Sequence, residues 1–311
     1  MKVFVAGASG AIGRPLVRQL VAAGHEVTGM TRREQRAAEI RAAGASAVVC
    51  DVFDRDALEA AMKAAAPEVV IHMLTALPAA IDWKASDPLG PTNRVRKEGT
   101  RNLIEAARAA GARRLVAESV AFLYAPRGDW VKDEEAPLFE GAPEPFGDAV
   151  EALADLERQV RGAEGVEGLV LRFGWFYGPG TSYAADGSQA EEMRKRRLPI
   201  VGKGTGTFSF IHIEDAAAAA VAAVERGAPG TYNVTDDEPA PMREWLPVYA
   251  EALGAKPPRR VPVWLAKLAA GKALAGNAVA LRGASNARAR QKLGWEPRYA
   301  SWRQGFKEAL G

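Results

Sequence analysis

The sequence predicts an α/β protein, a doubly wound parallel sheet with a smaller, mostly helical C-terminal lobe. Three observations predict it. Short β-rich runs alternate with helix-length stretches through the first 120 residues. A glycine-rich turn follows the first of those runs, and from Pro239 to Gly311 the pattern turns mostly helical and is punctuated by proline.

In chain order, strands are expected at 2–6, 26–30, 46–50, 68–72 and 114–117, with helices at 11–23, 34–43, 54–65 and 92–110. Helices of that length between strands imply right-handed crossovers, hence parallel strands with helices on both faces. Asp54 and Asp56 suit the first turn of the third helix, and Gly24, Gly44 and Gly111 fall where helices should stop. Further on come a helix at 145–162, a strand at 167–173, a Gly/Pro-rich passage from 174 to 187 and a strand at 207–213. An alanine-rich helix at 215–226 and a strand at 231–234 follow. The chain therefore reads as interleaved. Residues 1–173, with 207–234 returning, carry the sheet, and 174–206 with 235–311 form the second lobe, which would bind substrate.

Bulk properties exclude several classes. Of 311 residues, 48% are hydrophobic and 25% charged, a globular composition. The 41 basic and 38 acidic residues leave a net charge of only +3, which gives no basis for a nucleic-acid partner. The dense run Arg194-Lys195-Arg196-Arg197 reads as a solvated helix face, although its place beside the expected cleft would also suit an anionic substrate. The single cysteine, Cys50, excludes an intrachain disulfide and ends an apolar run, as a small buried strand residue would. No apolar stretch approaches the roughly 20 residues of a membrane span, and the N-terminal run is too short for a signal peptide, so a cytoplasmic setting is expected. His25, His72 and His212 lack ligand-like spacing, so no metal is expected.

The strongest motif is Gly7-Ala8-Ser9-Gly10-Ala11-Ile12-Gly13, between the first strand and the first helix. Gly7 permits a tight turn, Gly10 lets the backbone approach a pyrophosphate, and Gly13 lets the helix pack on the sheet. The free N–H groups and positive dipole end of the helix then face the phosphates. A dinucleotide site of the Rossmann type is expected. The second strand chooses the dinucleotide. An acidic residue at its end would favour NAD(H), but here it ends Met30-Thr31-Arg32-Arg33, whose hydroxyl and two guanidinium groups suit a 2′-phosphate. NADP(H) is expected, with NAD(H) as the alternative. Asp51 and Val52 are placed to meet the adenine edge, and Leu74 and Thr75 to flank the ribose and pyrophosphate.

With those residues the chain resembles the extended branch of the short-chain dehydrogenase/reductase superfamily, the nucleotide-sugar epimerases and dehydratases. The resemblance also rests on the stretches Glu98 to Ala107, Leu171 to Gly180, Phe210 to Ala216 and Lys292 to Pro297, and it runs in register along nearly the whole chain. It implies a small C-terminal lobe that receives the substrate, and a homodimer through the helices after the fourth and fifth strands. It also implies a catalytic tyrosine and, four residues on, a lysine at the start of the helix after the fifth strand. Those positions hold Phe146 and Val150. The carbonyl-polarising serine or threonine aligns with Val120, next to Ser119, and an expected asparagine aligns with Arg96. Neither Phe146 nor Val150 can move a proton.

Tyr124 and Ser119 are the candidate replacements, Tyr124 as acid and Ser119 as the group polarising an oxygen. Phe146, Trp175, Tyr177 and Tyr183 are candidate pocket walls, with Trp83 and Trp130 as further apolar candidates. The expected activity is NADP(H)-dependent reduction of a small carbonyl or conjugated substrate. A non-catalytic NADP(H) sensor and a nucleotide-sugar epimerase or dehydratase are the alternatives.

Overall fold

A computed structural model describes residues 1–78, 81–82 and 85–310. Seven parallel strands form the central sheet: β1 (Lys2–Ala6), β2 (Glu26–Thr31), β3 (Ser46–Val49), β4 (Val69–His72), β5 (Arg114–Val120), β6 (Glu167–Phe173) and β7 (Gly230–Val234). Their spatial order is β7-β6-β5-β4-β1-β2-β3. The chain runs outward from β1 to β3 and then returns across β1 to β4. That reversal opens a crevice beyond the C-terminal ends of β1 and β4, where ligands of such sheets bind. Strand β1 fixes the register of both halves, pairing Val3 with Val27 on one side and with Val69 on the other.

Two apolar layers sandwich the sheet. One face packs on α1 (Gly13–Ala22); the other packs on α3 (Arg55–Ala65), α4 (Thr100–Ala109) and α5 (Phe146–Arg161), while α2 (Glu34–Ala42) flanks β2 and β3. Asp54 caps α3, its carboxylate accepting the Ala57 N–H at 3.1 Å. The expected helix at 92–110 is interrupted: Gly90–Arg94 is α-helical, Val95–Gly99 makes a π-turn, and α4 follows. The alanine-rich segment forms α6 (Ile213–Glu225). Its Ala216, Ala217, Ala219, Ala220 and Ala223 are fully buried, and their small side chains let α6 lie close against α1.

The expected strand at 207–213 is two short ones, Thr207–Phe208 and Phe210–His212, outside the main sheet; the second pairs in parallel with Trp175–Tyr177. Besides the short helix Ser188–Arg194, the remaining helices are α7 (Met242–Ala252), α8 (Val263–Ala270), α9 (Lys272–Ala280), α10 (Ala287–Leu293) and α11 (Trp302–Leu310). A third apolar cluster lies here, built around Tyr177, Trp245, Trp302 and Phe306. Two stretches that carried the family resemblance meet physically: the Asp215 carboxylate accepts the N–H groups of Arg298 and Tyr299, and the Trp295 indole donates to the Asp215 carbonyl. In the run 194–197, Lys195 pairs with Glu191 and Arg197 with Glu192. Cys50 is buried just past β3. Among the described residues no helix is long and apolar enough to cross a membrane.

Candidate active site

The chain leaves β1 and turns at Gly7 with φ +92°. A Cβ at Gly7 would lie 2.4 Å from the Met73 carbonyl oxygen, and one at Gly13 would lie 2.1 Å from the Gly7 carbonyl oxygen. Both glycines are used up by packing. Gly10 differs: it is exposed, and a Cβ there would meet nothing nearer than the Gly7 oxygen at 3.2 Å. Through the partly buried Ala11 and the buried Ile12 the chain enters α1, which has no capping side chain and no acidic residue in its first turn. Its N-terminal amides and dipole therefore face the crevice unneutralised. The hydroxyls of Ser9 and Thr31 are 3.0 Å apart and tie the turn to the end of β2.

Beyond Thr31, Arg32 and Arg33 are exposed, and among the described residues neither has an ion-pair or hydrogen-bond partner for its side chain. Asp51 is exposed and accepts the Phe53 N–H at 3.0 Å, while Val52 is buried and its carbonyl takes the Asn102 amide at 2.9 Å. After β4 the Leu74 N–H donates to Nδ1 of His72, whose Nε2 donates to Thr100 at 3.0 Å; Thr75 stands exposed next in line. Burial pushes His72 down to about 4, so the ring is neutral. An open Gly10 face, an uncapped helix and unpaired guanidinium groups fit a dinucleotide.

The corner after β5 is built differently. Ser119 is buried and donates to Oε1 of Glu157 on α5 at 2.8 Å. The same carboxylate receives a bidentate pair from Arg172 on β6, at 2.7 and 2.6 Å. Arg172 also donates to the Tyr124 hydroxyl at 2.9 Å, and that hydroxyl donates to Oδ1 of Asn233 on β7 at 2.6 Å. Burial pushes the Tyr124 phenol up, so it is held protonated. Sequence reasoning proposed Ser119 and Tyr124 separately; the structure joins them through Glu157 and Arg172, which it had not singled out. The available signal was a charged residue inside the apolar run Val170-Leu171-Arg172-Phe173. Nearby, burial pushes Glu118 up to about 7, opposed by Arg96, which donates to Asn93 at 3.0 Å.

A cavity of about 220 Å³ opens beside this corner. Phe122, the Tyr124 ring, Phe139, Phe146 and Val150 form one wall, and α9 forms the other with Lys272, Gly276 and Asn277. Trp175 lies behind this wall, stacked on Phe122 with ring centroids 4.0 Å apart. Tyr177 and Tyr183 sit in the packed third cluster rather than on the cavity wall, Tyr177 edge-on to Phe210 and Phe306. Trp130 lies under the Arg282 guanidinium, 3.9 Å from its ring centre, and Trp83 lies outside the described residues. Helix α9 carries no motif, so nothing in the sequence pointed to it. Among the described residues no cluster of His, Cys, Asp and Glu could hold a metal.

Comparison with known proteins identifies the family and the fold. Residues 3–235 match the model of the NAD dependent epimerase/dehydratase family. The chain is 50% identical, over 98% of its length and 99% of the relative's, to a 3-diazoavenalumate denitrifying reductase of Streptomyces sp.. It is 30% identical, over 82% of its length and 76% of the relative's, to a 2-alkyl-3-oxoalkanoate reductase of Stenotrophomonas maltophilia. Among solved structures it is similar to a UDP-glucose 4-epimerase of Thermotoga maritima bound to UDP-glucose, with a TM-score of 0.78 and 21% identity, covering 100% of this chain and 97% of that one. That likeness speaks for the fold; the family model and the two reductases, with the glycine turn after β1, show that the chain is an enzyme of the NAD dependent epimerase/dehydratase family, in the extended branch of the short-chain dehydrogenase/reductase superfamily.

Proposed function

We propose that the chain is an NADP(H)-dependent reductase of a small, flat substrate whose acceptor group takes hydride without needing a proton on oxygen, with an aromatic acid bearing a diazonium group as the substrate class. The observation that carries it is the cavity wall at Phe146 and Val150, where the family's tyrosine and lysine would stand. A ketone that accepts hydride becomes an alkoxide and needs a proton donor at once. An arenediazonium ion that accepts hydride at its ring carbon loses N₂ as the C–N bond breaks; cation and hydride give a neutral arene, and no proton is consumed. The 50% identical relative is named for a diazo acid and for loss of its nitrogen, which supports this chemistry.

A bound nicotinamide dinucleotide would supply the hydride. The chain's own part is to hold and to exclude. Gly10 and the start of α1 would receive the pyrophosphate, Ser9, Thr31, Arg32 and Arg33 the 2′-phosphate side, Asp51 and Val52 the adenine, and Leu74 and Thr75 the ribose. The aromatic wall would keep water from a reactive cation. Tyr124 could serve as an acid only by giving up its bond to Asn233.

The test is oxidation of NADPH and of NADH by the purified protein with 4-carboxybenzenediazonium, beside ketones, enones and quinones, with enzyme-free controls. One benzoate and one N₂ per NADPH are expected with the diazonium alone. An NADPH preference of about tenfold or more should vanish in the Arg32→Ala, Arg33→Ala double variant, as loss of charge-assisted phosphate bonds requires. Turnover of ketones but not of the diazonium, or abolition of turnover by Tyr124→Phe, would overturn the proposal.

A further inference from the structure

The cavity wall is apolar except for three side chains, Tyr124, Lys272 and Asn277, and among its described lining residues only Lys272 carries charge. The Tyr124 hydroxyl is engaged by Arg172 and Asn233. Lys63, Lys97 and Lys195 each hold a glutamate. Lys272 has no such partner among the described residues, and the Asn277 side chain makes no hydrogen bond there. Lys272 opens α9 and is exposed, whereas Asn277, nearly one and a half turns along the same helix, is partly buried. An unpaired cation therefore stands at the mouth of an apolar cavity, with a free amide further in. The volume suits one ring: roughly 150 Å³ of apolar space accepts a benzene molecule, and about 220 Å³ leaves room for a short arm.

We infer that α9 selects the substrate: the Lys272 ammonium binds the carboxylate of a small aromatic acid at the mouth, Asn277 supplies a second donor, and the ring enters between α9 and the wall of Phe122 and Phe146. This rests on taking the cavity as the substrate site of the proposed reductase, but it does not require the hydride chemistry. An anion at the mouth would find no acidic residue on the described wall to repel it. Binding the ring without its carboxylate would leave the ammonium to water alone.

The test uses a ligand that cannot react. Binding of 4-hydroxycinnamate and of its methyl ester to the full chain is measured by calorimetry in the presence of NADP⁺, for the wild type, Lys272→Gln and Lys272→Arg. The acid is expected to bind about tenfold more tightly than the ester, the usual worth of a hydrogen bond to a charged group. That advantage should disappear in Lys272→Gln, survive in Lys272→Arg and shrink as salt is raised. Equal binding of acid and ester, an acid advantage that persists in Lys272→Gln, or no binding of either would overturn the inference. Failure of the diazonium turnover with the acid advantage intact would overturn the proposed chemistry and leave α9 as the reader of the carboxylate.

Discussion

The turn after β1 and the corner after β5 lie at the same edge of one sheet and treat polar groups in opposite ways. At the turn, the α1 N-terminus has no side-chain cap, Gly10 is open, and Arg32 and Arg33 are unpaired among the described residues. At the corner, Ser119, Glu157, Arg172, Tyr124 and Asn233 satisfy one another inside the protein. Exposed polar groups bond to water and stay open to a ligand; satisfied buried ones hold the frame. On the proposed reading the first region receives the charged dinucleotide, and the second supports the apolar wall.

The sharpest way to break this contrast is to remove Glu157. Its carboxylate takes both Arg172 bonds and the Ser119 hydroxyl, and it is 1% exposed. Glu157→Ala leaves a buried guanidinium without its counter-charge and should cost about 3–5 kcal/mol in urea unfolding. Replacing both partners, Glu157→Leu with Arg172→Met, should recover much of that loss. Dinucleotide affinity below the transition should change little in either variant. A Glu157→Ala protein of wild-type stability with weakened cofactor binding would mean that the corner belongs to the ligand site.

How legible each region was follows from the same difference. The turn was readable because its chemistry is local: three glycines at fixed spacing, a helix start and a strand end lie within seven residues or at the end of the next strand. The strands of the sheet were readable because buried parallel strands are short apolar runs between helices. The corner joins positions 119, 124, 157, 172 and 233, contributed by four elements and the loop after β5, and only the pairing of β5, β6 and β7 together with the packing of α5 on the sheet brings them together. Ser119 and Tyr124 were visible as residues, but their partners were not. Lys272 and Asn277 lie on an alanine-rich helix whose sequence has no periodic signal tying it to the cavity. The expected strand at 207–213 shows another limit: its apolar run is buried by the C-terminal lobe, and apolarity does not say which sheet a strand joins.

A second pair of variants sharpens the contrast within the turn itself. Gly13→Ala forces a Cβ to within 2.1 Å of a backbone oxygen and should destabilise the fold by about 3 kcal/mol. Gly10→Ala has 3.2 Å to its nearest neighbour and should melt within a few degrees of wild type, yet lose more than about a hundredfold in NADPH affinity, because its methyl fills the space the pyrophosphate needs. Thermal melts with titration by NADPH separate the two. Equal loss of stability in both variants would make Gly10 a third packing glycine.

The smallest effect tests whether the open region is free of internal polar pairing. His72 says it is not quite: its Nδ1 accepts the Leu74 N–H and its Nε2 donates to Thr100, so protonation would set one N–H against another. Burial holds the ring down to about 4, against 6.5 for the ordinary group. Above pH 6.5 the ring is neutral in both folded and unfolded chains and its contribution is constant. As pH falls below 6.5, the unfolded chain takes up a proton that the folded one refuses until about pH 4. Stability should therefore decline across that window, by about 2 kcal/mol at pH 5 for this group alone. His72→Gln keeps a side-chain acceptor and donor without the titration, so it should flatten the decline between pH 6.5 and 5 in urea unfolding. An unchanged slope would place the acid sensitivity elsewhere and leave the Leu74 turn independent of His72.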